Sequence, residues 1–103
     1  MIGLAAGVFV AIIELTVIPE KREEFIAITA EKVPAARGFE GNIQFDVLVD
    51  PGRPDKVFYL ERWESAEANK KFFEWWIAQG MTDRLRPYVT TAPKETTFTQ
   101  AID

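Results

Sequence analysis

From Val8 to Val17 the sequence reads VFVAIIELTV, a run rich in β-branched residues and apolar at both parities, with Glu14 its one charge. Alternate side chains of a strand point to opposite faces, so a run that is apolar at both parities is a strand buried on both. The segment from Lys56 to Trp63, KVFYLERW, has the same mainly apolar character, broken again by a carboxylate, Glu61. A chain of 103 residues has room for one domain, residues 1–103, with one modest core, and it must bury two such strands.

The segments between them set the topology. Pro19-Glu20-Lys21 opens a helix whose Phe25, Ile28, Thr29 and Val33 share one face; Pro34 weakens its last turn and Gly38 ends it. Ile43, Phe45, Val47 and Val49 alternate with Asn42, Gln44 and Asp46, the period-two pattern of a half-exposed edge strand. Asp50 to Asp55 is a turn, making a hairpin with the strand that ends at Trp63. Ser65 caps a second helix from Ala66 to about Ala78 that Gly80 stops. Met81 to Arg86 makes a short further helical turn, and Thr96 to Thr99 reads as a last, polar strand. The order β-α-β-β-α-β predicts an α+β, ferredoxin-like fold with an antiparallel sheet, its first and third strands central. Met1 to Gly7 reads as a loose start.

With both helices on one sheet face, the other face stays bare, yet the central strands are apolar at both parities. An exposed apolar face of that size exceeds the few hundred Å² that monomers carry, so a second copy of the chain is the expected cover.

Composition closes several routes. There is no cysteine and no histidine, so disulfides, thiolate nucleophiles, imidazole metal ligands and a serine triad are out, and no metal site is expected. Any acid or base must be carboxylate, tyrosine or lysine. A net charge of −4 with no extended basic cluster argues against nucleic acid. The uncharged run from Ile2 to Ile13 is shorter than the roughly 20 residues that span a bilayer, so no membrane anchor is expected, and the cysteine-free composition is compatible with the cytoplasm. No phosphate loop or nicotinamide or flavin fingerprint is present.

Two features carry candidate chemistry. In the second helix Phe72, Phe73, Trp75, Trp76 and Ile77 cover about half the circumference, wider than the roughly 100° stripe that core packing uses. Those rings either pack core and interface or line a pocket for a flat apolar ligand, with Trp63 and Tyr59 as its floor. Glu14 and Glu61 lie on strands expected to be neighbours. Each is either paired, with Arg62 or Arg86 as partners, or at a strand end that reaches water, or a desolvated base with a raised pKa, suited to taking a proton from a phenol. Arg86 and Tyr88 are candidates for the pocket mouth.

The stretch from Gly41 to Glu64, with GNIQFDVLVDP, a short turn, then FYLERWES and an amphipathic helix, resembles the antibiotic biosynthesis monooxygenase family of dimeric α+β-barrel proteins. Pro19-Glu20-Lys21 followed by Glu24-Phe25 matches the family's opening of its first helix, and Glu61 to Ser65 is the most specific piece. The resemblance implies a homodimer and oxygenation of phenolic or quinol-like aromatics by O2 with no cofactor. Quinol-oxidising relatives carry a His-Leu-x-x-x-His-Phe-like run where this chain has Phe72 to Gln79, without either histidine; the haem-degrading branch, which needs a histidine ligand, is set aside. Of the asparagine, tryptophan, tyrosine and arginine used by the tailoring oxygenases, Trp63 carries over by position, while Tyr59 and Arg86 rest on chemistry. The expectation is a cofactor-free monooxygenase with Glu61 or Glu14 as base, Trp63 beside it, and Tyr59, Phe72, Phe73, Trp76 and Arg86 around the substrate. The alternative is a non-catalytic dimer of the same fold that binds a small apolar ligand or serves as a structural module.

Overall fold

A computed structural model describes residues 7–102. The expected loose start lies, apart from Gly7, outside the described residues. Four strands, β1 (Phe9–Thr16), β2 (Asn42–Asp50), β3 (Arg53–Trp63) and β4 (Lys94–Thr99), form one antiparallel sheet in the order β2-β3-β1-β4. The two apolar strands are central and the two more polar ones are edges, as their patterning requires. Helices α1 (Arg22–Ala30), α2 (Val33–Arg37), α3 (Ala66–Ala78) and α4 (Met81–Leu85) complete the ferredoxin-like α+β architecture.

Register assigns the faces. Ala11 lies opposite Glu61, Ile13 opposite Tyr59 and Leu15 opposite Val57, and these residues, with Trp63 and Phe45, face the helices. The core is aromatic: Trp63, Phe25 and Phe45 are essentially fully buried, each contributing roughly 1.5–3 kcal/mol relative to exposure. The other face carries Ile12 opposite Leu60, Glu14 opposite Phe58, and Val10 opposite Phe98. Leu48 and Phe98 on that face are about half exposed, at 46% and 51%.

The first helix differs from its expected form. Pro34 does not merely weaken a last turn; it starts a new helix. Its ring excludes the carbonyl four residues back and it has no N–H to give, which suits a first turn, so α1 ends at Ala30 and α2 restarts with Pro34 in its opening turn. A 3₁₀ turn, Pro19–Lys21, precedes α1. The hairpin turn is tighter than expected, because β3 begins at Arg53. Pro54 and Asp55 fall where the β2–β3 register slips between Val49 and Asp50, so the missing proline N–H is not needed by the ladder.

Helix α3 forms where expected. The Ser65 side chain accepts a 3.1 Å hydrogen bond from the Ala68 N–H, Glu67 favours the first turn, and Gly80 at φ 75° supplies the left-handed residue that turns the chain into α4.

Candidate active site

Between the inner sheet face and α3 and α4 lies a cavity of about 540 Å³. Ile13, Leu15, Phe45 and Tyr59 form its sheet side and Phe72, Phe73 and Trp76 its α3 side, with Leu85 and Arg86 beyond. The aromatic arc of α3 is thereby divided. Phe72 and Trp76 are buried against Trp63, Phe45 and Tyr59 at centroid distances from 4.7 to 6.3 Å, while Phe73 remains 54% exposed at the opening.

The one buried carboxylate among the described residues, Glu61, stands on this wall at 2% exposure. Trp63, two residues along the same strand and therefore on the same face, donates from Nε1 to Glu61 Oε1 at 3.0 Å. Asn69 of α3 donates from Nδ2 to the same oxygen at 3.4 Å. No donor among the described residues reaches Oε2. None of the described buried side-chain polar atoms is both sealed and unpartnered, so Oε2 opens onto the cavity. Loss of hydration pushes the Glu61 pKa up to about 7; the Trp63 hydrogen bond opposes this and the negative charge of Glu95, also on the cavity lining, adds to it. The result is a carboxyl group that exchanges a proton near neutral pH in a chain without histidine.

The other candidates separate. Glu14 lies on the opposite sheet face, where Lys56 Nζ approaches its Oε2 at 3.3 Å; it does not share the cavity with Glu61. Strand parity decides this, since Glu14 sits opposite Phe58 and Glu61 opposite Ala11. Neither carboxylate pairs with the arginines expected for it: Arg62 binds Gln44 and Gln100, and Arg86 is 2.8 Å from Asp83. Trp63 is not a floor of the cavity; it is fully buried behind Glu61, packed on Phe72 and Phe39. Tyr59 does line the cavity, with its hydroxyl 2.8 Å from Thr29 Oγ1, and burial raises its pKa. Arg86 lines the mouth but is largely exposed, and Tyr88 packs edge-on against Phe25 instead.

Sequence reasoning missed Asn69, Thr29, Lys70 and Glu95. For Asn69 the signal was present: it precedes Phe72, Phe73 and Trp76 by three, four and seven residues, the spacing of one helix face. Among the described residues no group of histidine, cysteine, aspartate and glutamate is placed to hold a metal, and no helix is long and apolar enough to cross a membrane.

Comparison with known proteins places this geometry. The family model for antibiotic biosynthesis monooxygenase matches residues 8–75, which run from β1 through the aromatic face of α3. A Bacillus subtilis protein named "Putative monooxygenase YcnE" is 37% identical over 68 residues, covering 60% of this chain and 70% of that protein. Among solved structures, a conserved protein from Methanosarcina mazei Go1 superposes with a TM-score of 0.84 at 16% identity, covering 92% of this chain and 94% of that one. A variant of SnoaB, a cofactor-independent oxygenase from Streptomyces nogalater, superposes with a TM-score of 0.75 at 17% identity, covering 91% and 93%. The structural likenesses speak to the fold, whereas the model match spans two-thirds of the sequence and includes Glu61, Trp63 and Asn69. On that match the chain belongs to the antibiotic biosynthesis monooxygenase family.

Proposed function

We propose that the protein is a cofactor-independent monooxygenase that oxidises a phenolic or quinol-like aromatic compound with O2. The observation that carries this reading is Glu61, whose Oε2 opens onto an aromatic cavity and whose pKa is about 7. Oε2 takes the proton of the bound hydroxyl, and the resulting anion is electron-rich enough to reduce O2 directly. With an anthrol as substrate, a C–O bond forms at the ring carbon para to the oxygen, and the peroxide takes a proton. The O–O bond then breaks as that carbon loses its hydrogen. One oxygen atom remains as the new carbonyl and the other leaves as water, so the substrate supplies both hydrogens and all the electrons. The protein contributes desolvation, a base and ring orientation by Phe72, Phe73, Trp76 and Tyr59.

The reading includes a homodimer. Ile12, Phe58 and Leu60, partly exposed, occupy the sheet face away from the helices, flanked by half-exposed Leu48 and Phe98, and a second copy laid on this face would remove them from water. Light scattering should give twice the chain mass, and Leu60→Lys should reduce it to one chain; a wild-type monomer would sink the dimer. The cysteine-free sequence supports a reducing cytoplasm as its compartment.

The direct test of the chemistry is turnover of an anthrol under ¹⁸O2. One labelled atom in the quinone above the autoxidation control supports the proposal. A product without label contradicts it. The absence of histidine favours one other reading, a dimer that binds a small apolar ligand in the same cavity without turning it over. Saturable quenching of tryptophan fluorescence by anthrols with no oxygen uptake would select it.

A further inference from the structure

We propose that Asn69 is a positioning residue for Glu61: with Trp63 it holds Oε1 as an acceptor and so commits proton exchange to Oε2, the oxygen on the cavity side. A carboxyl oxygen has two in-plane lone pairs. Here Oε1 receives one N–H from Trp63 at 3.0 Å and one from Asn69 at 3.4 Å. A proton on Oε1 would displace one of these donors and leave it unpaired in an apolar surround, so protonated Glu61 carries its proton on Oε2. The two donors are not equivalent in origin. Trp63 shares β3 with Glu61 and its bond follows from strand parity. Asn69 comes from α3, the helix that also presents Phe72, Phe73 and Trp76 to the cavity. Its bond therefore ties the orientation of the base to the helix that orients the ring, and a substrate held by α3 meets Oε2 in a fixed register.

Asn69 does not titrate, and its bond to Oε1, made in both forms of Glu61, is stronger to the carboxylate than to the neutral acid. The titratable groups around the same cavity are Tyr59 on β3, Lys70 on α3, Arg86 in the turn after α4, and Glu95 on β4. None of them is altered by substituting Asn69. The role rests on the reading of Glu61 as a base, but it is measurable without turnover.

The experiment is a ¹³C NMR titration of protein labelled at the glutamate side-chain carboxyl carbons, with the Glu61 signal assigned by its loss in Glu61→Gln. Wild type should titrate near pH 7. Asn69→Leu keeps the branched shape, with somewhat more bulk, and excludes water while removing the donor, and should raise the midpoint by roughly half a unit or more. Asn69→Ala, which costs a helix nothing, carries the test if leucine is not accommodated. A midpoint that stays in place or falls overturns the role of Asn69. A raised midpoint in a protein that consumes no oxygen upholds that role and counts against the oxygenase reading, so the two claims fail separately.

Discussion

Trp63 and Glu61 face the same way from one strand, and the indole N–H of the first holds one oxygen of the second at 3.0 Å while the other oxygen opens onto the cavity. The arrangement explains why a tryptophan with no surface on the cavity belongs to the site. It is a fixed donor for a buried carboxylate, and its ring is also the base of the aromatic packing that shapes the wall. Trp63→Phe therefore perturbs the carboxyl group and the core together, and Asn69 is the cleaner place to separate them.

Because the active form of the proposed base is the carboxylate, kcat/KM for an anthrol should rise about tenfold per unit as pH increases up to about 7 and level off above it. The rate of autoxidation without protein must be subtracted at each pH. A flat profile between pH 5 and 8 would exclude Glu61 as the proton acceptor.

The same carboxyl group should make the fold pH-dependent. Its folded pKa of about 7 lies above the ordinary 4.5, so the unfolded chain ionises first as pH rises. Glu61 therefore costs nothing below about pH 4.5. It destabilises progressively between pH 4.5 and 7, and by roughly 3 kcal/mol above that range. Glu61→Gln keeps an oxygen for Trp63 and removes the ionisation. Urea unfolding should show the variant more stable than wild type at pH 8, with the gap closing toward pH 4.5. Equal stability at pH 8 would mean that Glu61 ionises freely in the fold.

Tyr59 and Thr29 form a buried pair, with their hydroxyl oxygens 2.8 Å apart. Tyr59→Phe strands the Thr29 hydroxyl and should cost about 1–2 kcal/mol, while adding Thr29→Val removes the orphaned group and should recover most of the loss. Thermal unfolding of the two variants measures this coupling, and additive losses would show that the hydroxyls act independently.

Gly41 should tolerate no side chain. It has φ of 86°, and a Cβ built on it would lie 2.6 Å from the Cβ of Ala68, at the start of α3 and next to Asn69. Gly41→Ala should destabilise by about 2 kcal/mol or more and shift α3 away from Glu61. Adding Ala68→Gly should restore part of the stability, because it relieves the clash and leaves the backbone strain. No partial recovery would mean that the conformation of residue 41, not the contact, sets the cost.

The strand order was legible because burial on two faces and burial on one leave different patterns, and VFVAIIELTV and NIQFDVLVD differ in that respect. The capped α3 was legible for the same kind of local reason, with Ser65 before it and Gly80 after it. The break at Pro34 was partly visible as a weakness, but whether proline ends one helix or begins another depends on what the following residues pack against. Glu14 and Glu61 looked alike because each interrupts an apolar strand; only the register with the neighbouring strand assigns them to opposite faces. Spacing puts Asn69 on the α3 face of Phe72, Phe73 and Trp76, but its bond to Glu61 was not legible, because a hydrogen bond between a helix and a strand has no fixed spacing in sequence.

If Glu61 is the base of a cofactor-free oxygenation, as proposed, oxygen consumption depends on it. Purified, metal-stripped protein would be supplied with a panel of hydroquinones and anthrols in an oxygen-electrode cell, beside heat-unfolded protein, substrate alone and Glu61→Gln. Uptake by wild type above both controls is expected on at least one substrate, falling at least a hundredfold in Glu61→Gln, as the loss of a general base implies. Uptake that is undiminished in Glu61→Gln would remove Glu61 as the base, and uptake that never exceeds autoxidation would remove the oxygenase activity itself.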